Sequence, residues 1–307
     1  TAMKGNLMSR NKLHNDEIDI NAALVKQLLA SQFPGWADLQ LRVLSGAGTD
    51  NAMYKLGDDK VVRLPRTARS ATNIDKERLW LPKLAPFLPI SIPTILGKGS
   101  PAATYPLPWL IYRWLEGQTP NTESMLDRHL AAIDLGNFVV EMKKISSVNG
   151  PKSKRGQPLS TRDEETRFAI TSLTDTYDVS VLIDMWESAL TSPLWSEAPV
   201  WIHGDLHAGN VLTQNRRVTA VVDFGSAGVG DPACDMMVAW TLLTPETRQI
   251  FRSIVQPDHA TWARGRGWAL TFGIVAYPYY RISNPTLARI AKRTIEQTIA
   301  DYKYPDQ

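Results

Sequence analysis

The sequence predicts an α+β protein with two lobes, a small β-rich N-terminal lobe and a larger, mostly helical C-terminal lobe. Strand-like runs are concentrated before about residue 114, whereas helical periodicity dominates from about residue 125 onward. A chain of 307 residues has the length of one large domain or two modest ones. At this length it can bury roughly 75% of the surface that its unfolded form exposes. We expect lobes at 1–112 and 113–307, joined by a hinge at about 112–117.

The composition is that of an ordinary globular protein. Hydrophobic residues make up 43% of the chain and charged residues 21%, which argues against disorder. There are 34 basic and 31 acidic residues, and a net charge of +3 is too small to predict a nucleic-acid or membrane partner. The single cysteine, Cys234, excludes an intrachain disulfide and a multi-cysteine metal site.

Location and assembly are also expectations at this stage. No run approaches the roughly 18 consecutive apolar residues that a membrane helix needs. No secretory signal opens the sequence, so we expect a cytoplasmic protein. We expect it to be a monomer or a weak dimer.

The N-terminal lobe opens with a predicted helix over 15–32, where apolar residues recur at helical spacing until Pro34 and Gly35. The period then shortens, which predicts three strands at 41–44, 51–56 and 60–64. A loop at 45–50 joins the first two strands, and a Gly-Asp-Asp turn joins the last two. A helix over 73–84, a proline-rich stretch and a strand over 109–114 complete this lobe.

In the C-terminal lobe, the first helical face consists of Leu130, Ile133, Phe138, Val139, Met142 and Ile145. A basic segment rich in glycine and proline follows at 149–158, and we expect it to be a solvated connector. Two β-like runs at 200–202 and 219–222 interrupt the helices and flank the most polar cluster in the chain. A cleft between two such lobes is a favoured place for a ligand.

That polar cluster consists of His-Gly-Asp-Leu-His-Ala-Gly-Asn at 203–210, followed by Asp-Phe-Gly at 223–225. It offers oxygen-bearing side chains at Asp205, Asn210 and Asp223. Mg²⁺ prefers carboxylate and amide oxygens, and one or two protein carboxylates plus phosphate oxygens usually suffice to bind it. A further carboxylate close by can accept a proton from a hydroxyl nucleophile. This combination favours phosphoryl transfer, which needs positioning and charge neutralisation above all.

The ordered set resembles the aminoglycoside phosphotransferase-like family of small-molecule kinases, a branch of the protein-kinase-like fold. The resemblance covers roughly 41–290 and is most specific between Trp201 and Asp235. It implies that Asp205 is the catalytic base and that Asn210 and Asp223 bind Mg²⁺. It also implies supporting roles for two residues beside the catalytic base, His203 and Asp235.

The resemblance further implies a nucleotide site in the N-terminal lobe. The loop residues Gly46, Gly48 and Thr49 correspond to a phosphate-covering loop, because small residues let backbone N–H groups approach phosphate oxygens. The hinge residues Tyr112, Arg113 and Trp114 would meet the edge of adenine or guanine, so the donor is ATP or GTP.

The third strand departs from the commonest pattern of the family. Where that pattern has lysine, this sequence has Arg63, which offers a permanent charge and a forked set of donors. Arg63 is then either a phosphate-binding residue paired with Glu77 or an exposed or structural arginine.

The implied activity is transfer of the γ-phosphate to a hydroxyl of an antibiotic-like or metabolite acceptor. Acceptors in this family include aminoglycosides, macrolides, choline, sugars and homoserine, so a role in antibiotic resistance and one in metabolism are both open. Beyond Asp235 there is no acidic residue until Glu246, which favours an acceptor less cationic than an aminoglycoside. The residues that follow form either an acceptor pocket or core, and they are Trp262, Trp268, Phe272, Tyr277, Tyr279 and Tyr280. Among them lie Arg264, Arg266 and Arg281, with Asp258 as the nearby acid.

Two other functions compete with the kinase. One is a catalytically silent nucleotide-binding protein with this fold, which the arginine at position 63 would suit. The other is a metal-dependent hydrolase with the ligands His203, Asp205, His207 and Asp223, since the spacing H-x-D-x-H is a legitimate metal pattern. The hydrolase leaves Asn210 and the N-terminal strands without a role.

Overall fold

The computed structural model describes residues 17–44, 50–120 and 125–303. The chain divides into two compact units, Thr1–Asp75 with Ile95–Trp114, and Lys76–Thr94 with Leu115–Gln307. The predicted α+β class is confirmed, because the first unit is built on a five-stranded sheet and the second is mostly helical. Residues 76–94, which we expected in the N-terminal lobe, belong to the second unit.

The first unit is an antiparallel sheet with the spatial order β1-β2-β3-β5-β4. Its strands are β1 (Leu41–Val43), β2 (Asn51–Leu56), β3 (Lys60–Pro65), β4 (Ile95–Gly99) and β5 (Trp109–Arg113). Helix α1 (Ala22–Gln32) packs its apolar face against this sheet. The core between them contains Val25, Leu28, Leu29, Ala52, Tyr54, Leu56, Val62, Leu64, Tyr105, Trp109 and Ile111.

Helix α1 begins later than the predicted residue 15. The side chain of Asn21 accepts the backbone N–H of Leu24 at 2.9 Å and caps the first turn, which is the role that asparagine favours. The residues before it are not helical, and the N–H of Ile18 donates to the carbonyl of Arg66 instead. The predicted helix over 73–84 is confirmed as α3 (Ile74–Leu84), and a short helix that the sequence analysis did not predict, α2 (Ala68–Ala71), precedes it.

The second unit contains the remaining described helices: α4 (Arg128–Lys144), α5 (Asp163–Thr171), α6 (Val179–Leu190), α7 (Val238–Thr241), α8 (Pro245–Val255), α9 (His259–Tyr280) and α10 (Pro285–Lys303). Two small antiparallel sheets lie among them, β6 (Val200–Ile202) with β9 (Gly228–Gly230), and β7 (Val211–Gln214) with β8 (Arg217–Val221). Four fully buried tryptophans anchor the core, at positions 186, 201, 240 and 268. None of the helices in the described parts of the chain is both long and apolar enough to cross a membrane.

The 149–158 segment is not the solvated connector that the sequence suggested. Ser153 is 1% exposed, its N–H donates to the carbonyl of Val229 at 3.0 Å, and its hydroxyl donates to the carbonyl of Ser226 at 2.8 Å. Gly156 lies so close to β9 that a Cβ there would stand 2.7 Å from the Cα of Gly230. Small residues let this backbone lie flat against β9, so the backbone that carries the basic residues is held in a fixed place.

Candidate active site

The loop that carries the predicted catalytic residue, 203–210, joins β6 to β7. Its first turn requires glycine. Gly204 has a φ of +78°, and a Cβ at this position would stand 2.6 Å from the carbonyl oxygen of Ser226. Because β6 pairs with β9, this loop and the Asp-Phe-Gly segment are brought side by side. The backbone links them again where the N–H of Val222 donates to the carbonyl of Asn210 at 2.9 Å.

Two buried residues hold the loop in place. The carboxylate of Asp235 accepts the N–H of His203 at 2.7 Å and that of Gly204 at 2.8 Å. The His203 ring lies between the N–H of Asp205, 3.2 Å from its Nδ1, and the carbonyl of Val222, 3.0 Å from its Nε2. The proton of the neutral ring therefore sits on Nε2, and burial lowers the pKa of His203, which favours this neutral form.

Burial also raises the pKa of Asp235, to about 7, against the effect of its two N–H donors. The residue beside it, Cys234, is fully buried, and its Sγ donates to the carbonyl of Gly204 at 3.3 Å. The side chains at both 234 and 235 thus bond to the turn that precedes Asp205.

Asp205 lies at the rim of this loop, with 23% of its side chain exposed. The amide nitrogen of Asn210 donates to its backbone carbonyl at 2.9 Å and to its Oδ2 at 3.2 Å. The Nε2 of His207 lies 3.6 Å from Oδ2, and the Nη2 of Arg155 lies 4.0 Å from Oδ1. Burial would raise the pKa of Asp205, but His207 and Arg155 outweigh it and hold the pKa below its usual value. An ionised carboxylate at the rim can accept a hydrogen bond from an incoming hydroxyl.

Asp223 is the open carboxylate of the site. Its backbone is left-handed, with φ +65° and ψ +67°, a conformation that aspartate tolerates better than most residues. The side chain is exposed and makes no hydrogen bond to the part of the chain that the structure describes. The segment that follows is anchored by Lys76, whose Nζ donates to the carbonyl of Gly225 at 2.6 Å.

The donor set fits Mg²⁺ better than a transition metal. The nitrogen of the Asn210 amide is committed to Asp205, which leaves its oxygen as a ligand together with the carboxylate of Asp223. Within 17–44, 50–120 and 125–303, no three residues of the types His, Cys, Asp and Glu form a group that could hold a metal. The hydrolase is therefore not supported, because both ring nitrogens of His203 face backbone groups and Nδ1 of His207 accepts the N–H of Gly209 at 2.9 Å.

The predicted nucleotide-binding loop, Gly46, Gly48 and Thr49, lies outside the described residues. Arg63 is 7% exposed, and its Nη1 donates to the hydroxyl of Tyr112 at 2.9 Å. An exposed arginine at this position is therefore excluded.

The other predicted nucleotide-binding residues lie in different settings. Glu77 is buried on α3, and its pairing with Arg63 stays a prediction. Arg113 is exposed at the end of β5. The N–H of Trp114 donates to the carbonyl of Asp59 at 2.7 Å, and the Nζ of Lys55 lies 4.3 Å from the centre of its ring.

The aromatic cluster after residue 260 is core at one end and partly exposed at the other. Trp262, Trp268 and Phe272 are buried, and Phe272 stacks on the ring of His207 with 4.7 Å between the ring centres. Tyr279 is 48% exposed, and the tyrosines at 277 and 280 are half-buried.

The arginines of that region are paired with acids that the sequence did not connect to them. Arg264 is 1% exposed and forms two hydrogen bonds to Asp231, at 2.8 and 3.0 Å. Arg266 donates to Asp301 at 3.1 Å. Asp231 stands in the Gly-Asp-Pro run beside Asp235, but its partner is 33 positions away, and only the fold brings the two together. The two arginines are thus paired within the protein.

Comparison with known proteins agrees with the family resemblance that the sequence shows. A family model described as the phosphotransferase enzyme family matches residues 41–268. A curated relative, the uncharacterised protein YcbJ of Bacillus subtilis (strain 168), is 27% identical over 174 residues, which span 54% of this chain and 54% of that protein. The chain thus matches about half the length of that relative.

Solved structures show the same fold at low identity. The GDP complex of wild-type aminoglycoside 2′-phosphotransferase IIIa is 21% identical, with a TM-score of 0.67 over 92% of this chain and 100% of that chain. The macrolide 2′-phosphotransferase MphH from Brachybacterium faecium is 22% identical, with a TM-score of 0.59 over 87% of this chain and 97% of that chain.

Proposed function

The chain belongs to the phosphotransferase enzyme family, and from this premise we propose that it is a small-molecule kinase. It transfers the γ-phosphate of ATP or GTP to a hydroxyl group of an antibiotic-like or metabolite acceptor. The observation that carries this proposal is the arrangement of Asp205, Asn210 and Asp223 on two loops that hydrogen bonds join. Nucleotide binding is assigned to 1–112 and the chemistry to 113–307, with the hinge at about 112–117.

Asp205 orients the acceptor. Its carboxylate is ionised at neutral pH, so it accepts a hydrogen bond from the acceptor hydroxyl and then takes the proton as the new bond to phosphorus forms. Its pKa below the usual range makes it a weak base, which suits a loose transition state in which the proton moves late. Alignment of the hydroxyl is then its main contribution.

Asn210 and Asp223 would hold Mg²⁺, which neutralises charge on the nucleotide phosphates when it is bound. The protein prepares this site through the backbone: the left-handed turn at Asp223 sets the direction of its side chain, and Lys76 fixes the following residues. His203 and Asp235 hold the catalytic loop in a fixed position beside this metal site. Most of the rate enhancement should come from such electrostatic preorganisation.

Related structures support a nucleotide donor and a hydroxylated acceptor. Solved neighbours carry GDP, ADP or ATP, and two of them carry an antibiotic as well, kanamycin with GDP and streptomycin with ATP. For this chain we favour an acceptor less cationic than an aminoglycoside, because a guanidinium, that of Arg155, lies 4.0 Å from the carboxylate that would receive the hydroxyl. A macrolide-like or other neutral hydroxylated molecule fits this charge better.

The test is a coupled nucleotide-turnover assay with Mg²⁺, run with ATP and with GTP. The acceptor panel comprises macrolides, aminoglycosides, choline, amino alcohols and sugars. We expect acceptor-dependent turnover that falls by at least about 10³-fold in Asp205→Ala, while the melting temperature stays that of the wild type. Full activity in this variant would remove Asp205 from the mechanism.

The same assay separates the silent binding protein from the kinase. Nucleotide binding without turnover, with every acceptor in the panel, would favour a binding protein. Absence of nucleotide binding would overturn the proposal as a whole.

A further inference from the structure

The guanidinium of Arg155 stands at ion-pair distance from the proposed catalytic carboxylate but donates no hydrogen bond to it. Its Nη2 is 4.0 Å from Oδ1 of Asp205, beyond hydrogen-bond distance. The side chain is 27% exposed and donates no hydrogen bond to the described parts of the chain. It lies over the ring of Trp268, 5.8 Å from the ring centre. An arginine with all five of its donors open, next to an active-site acid, is arranged to bind an anion.

Arg155 is also held on a rigid support. Its backbone N–H donates to the hydroxyl of Ser153 at 3.1 Å, and Ser153 is itself fixed to the two residues that flank the start of β9, Ser226 and Val229. On the other side, Gly156 packs directly against Gly230. The open side chain therefore belongs to a fixed part of the backbone, which lowers the entropic cost of ordering it on a ligand.

A second cation stands near the proposed metal-binding carboxylate. The Nζ of Lys76 donates to the carbonyl of Gly225 at 2.6 Å, two positions after Asp223. Each acid of the site thus has a positive group near it, Arg155 beside Asp205 and Lys76 at the segment that follows Asp223.

We propose that Arg155 binds the transferring phosphoryl group and is a further catalytic residue of this chain. The inference rests on the proposed kinase function. In the transfer, the acceptor oxygen forms a bond to the γ-phosphorus, and the bond from this phosphorus to the β,γ-bridging oxygen breaks. The electron pair leaves with the nucleoside diphosphate, and the hydroxyl proton passes to Asp205. The equatorial oxygens of the moving group carry charge that Arg155 can neutralise.

The position of Arg155 favours the phosphoryl group over an acid on the acceptor. In the proposed transfer, the hydroxyl that is hydrogen-bonded to Asp205 attacks the γ-phosphorus, so the phosphoryl oxygens lie close to this carboxylate. An arginine 4.0 Å from the carboxylate is therefore within reach of them. A second cation, Lys76, stands at the segment that follows Asp223, and Asp223 faces nucleotide phosphates in the proposed mechanism and not the acceptor.

The experiment compares nucleoside triphosphate with diphosphate binding, so no acceptor needs to be known. Calorimetry with Mg²⁺ would give Kd for ADP and for a non-hydrolysable ATP analogue, and for the matching guanosine pair. In Arg155→Ala the triphosphate analogue should bind about tenfold more weakly, as expected for loss of a charge-assisted hydrogen bond, while Kd for the diphosphate stays within about twofold. Arg155→Lys should recover part of the loss because it restores the charge without the fork.

Lys152→Ala is the matched control, since it removes a positive charge from an exposed side chain of the same segment. It should leave both affinities unchanged. An equal loss for diphosphate and triphosphate, or no loss for the triphosphate, would overturn the role of Arg155 while the kinase proposal stands. If the wild-type protein binds neither nucleotide, the proposed function itself fails.

Discussion

The carboxylate of Asp235 receives the backbone N–H of His203 at 2.7 Å, across 32 positions of sequence. Its other oxygen receives the N–H of Gly204 at 2.8 Å. Both oxygens of one buried acid are therefore occupied by the turn that precedes Asp205. The position of Asp205, the proposed catalytic carboxylate, therefore depends on an acid that has no part in the proposed reaction.

Asp235→Asn should destabilise the protein and reduce turnover. The new NH₂ group would face one of the two backbone N–H donors, and an unsatisfied buried donor costs about 1–3 kcal/mol. Chemical denaturation and turnover measure the two effects. Asp184→Asn, the same change at an exposed position of α6, is the control and should leave both unchanged. A variant as stable and active as the wild type would show that the loop does not need this acid.

Asp235 should also make stability depend on pH. Burial raises its pKa from 3.8 to about 7, so the folded protein keeps a proton that the unfolded chain releases. Its contribution to the free energy of unfolding is therefore highest below about pH 4 and declines as pH rises toward 7, by roughly 1–4 kcal/mol. Unfolding in urea at pH 5 and pH 8 would show this decline in the wild type. Asp235→Asn should show a smaller decline. An equal decline in the free energy of unfolding of the two proteins would contradict a raised pKa at Asp235.

Asp223→Asn should separate metal binding from folding. Asparagine tolerates the left-handed backbone at this position, so the melting temperature should not fall. Loss of the carboxylate should lower kcat about 10²–10³-fold and raise the Mg²⁺ concentration needed for half-maximal rate. A magnesium titration of the rate decides this, and an unchanged titration curve would exclude Asp223 as a ligand.

Gly204→Ala should displace the catalytic loop. The methyl group would stand 2.6 Å from the carbonyl oxygen of Ser226, at a φ of +78°. We expect a loss of about 1–3 kcal/mol in the free energy of unfolding, accompanied by a loss of turnover. Gly35→Ala is the matched control, because a Cβ there meets nothing within 4 Å. Equal stability of the two variants would mean that the turn can relax.

Removal of Arg264 should be among the costliest single changes. Arg264→Met leaves Asp231, 7% exposed, as a buried charge without the two hydrogen bonds from Arg264, and such a loss costs about 3–5 kcal/mol. Arg217→Ala, which breaks an ion pair whose arginine is 52% exposed, should cost no more than about 1 kcal/mol. Similar melting temperatures for both variants would show that the buried ion pair stabilises the protein no more than the exposed one.

The sequence predicted those parts of the fold and site that depend on local pattern. The strands at 51–56 and 60–64 and the turn between them lie where alternation and turn residues put them. Asp205, Asn210 and Asp223 are drawn together by the loops between short strands, and the sequence showed these loops as polar residues between apolar runs.

Other parts depend on partners distant in the chain, and no local pattern reports them. The bonds from Asp231 to Arg264 join positions 33 residues apart that the sequence analysis did not connect. Arg155 is a similar case, because a basic residue in a glycine- and proline-containing segment has the same local pattern whether it is solvated or held against β9. The start of α1 differs from the predicted one for a local reason. Apolar spacing continues before Asn21, but the Asn21 cap makes the helix begin at that point.

The bond between Cys234 and Gly204 gives the protein an internal probe of the loop at 203–210. The chain has a single cysteine, fully buried, and burial raises the pKa of its thiol well above the usual value. Because the thiolate is the form that reacts, a thiol reagent cannot modify the closed protein at an appreciable rate. The rate of labelling therefore reports how often the loop opens, without any introduced dye or mutation.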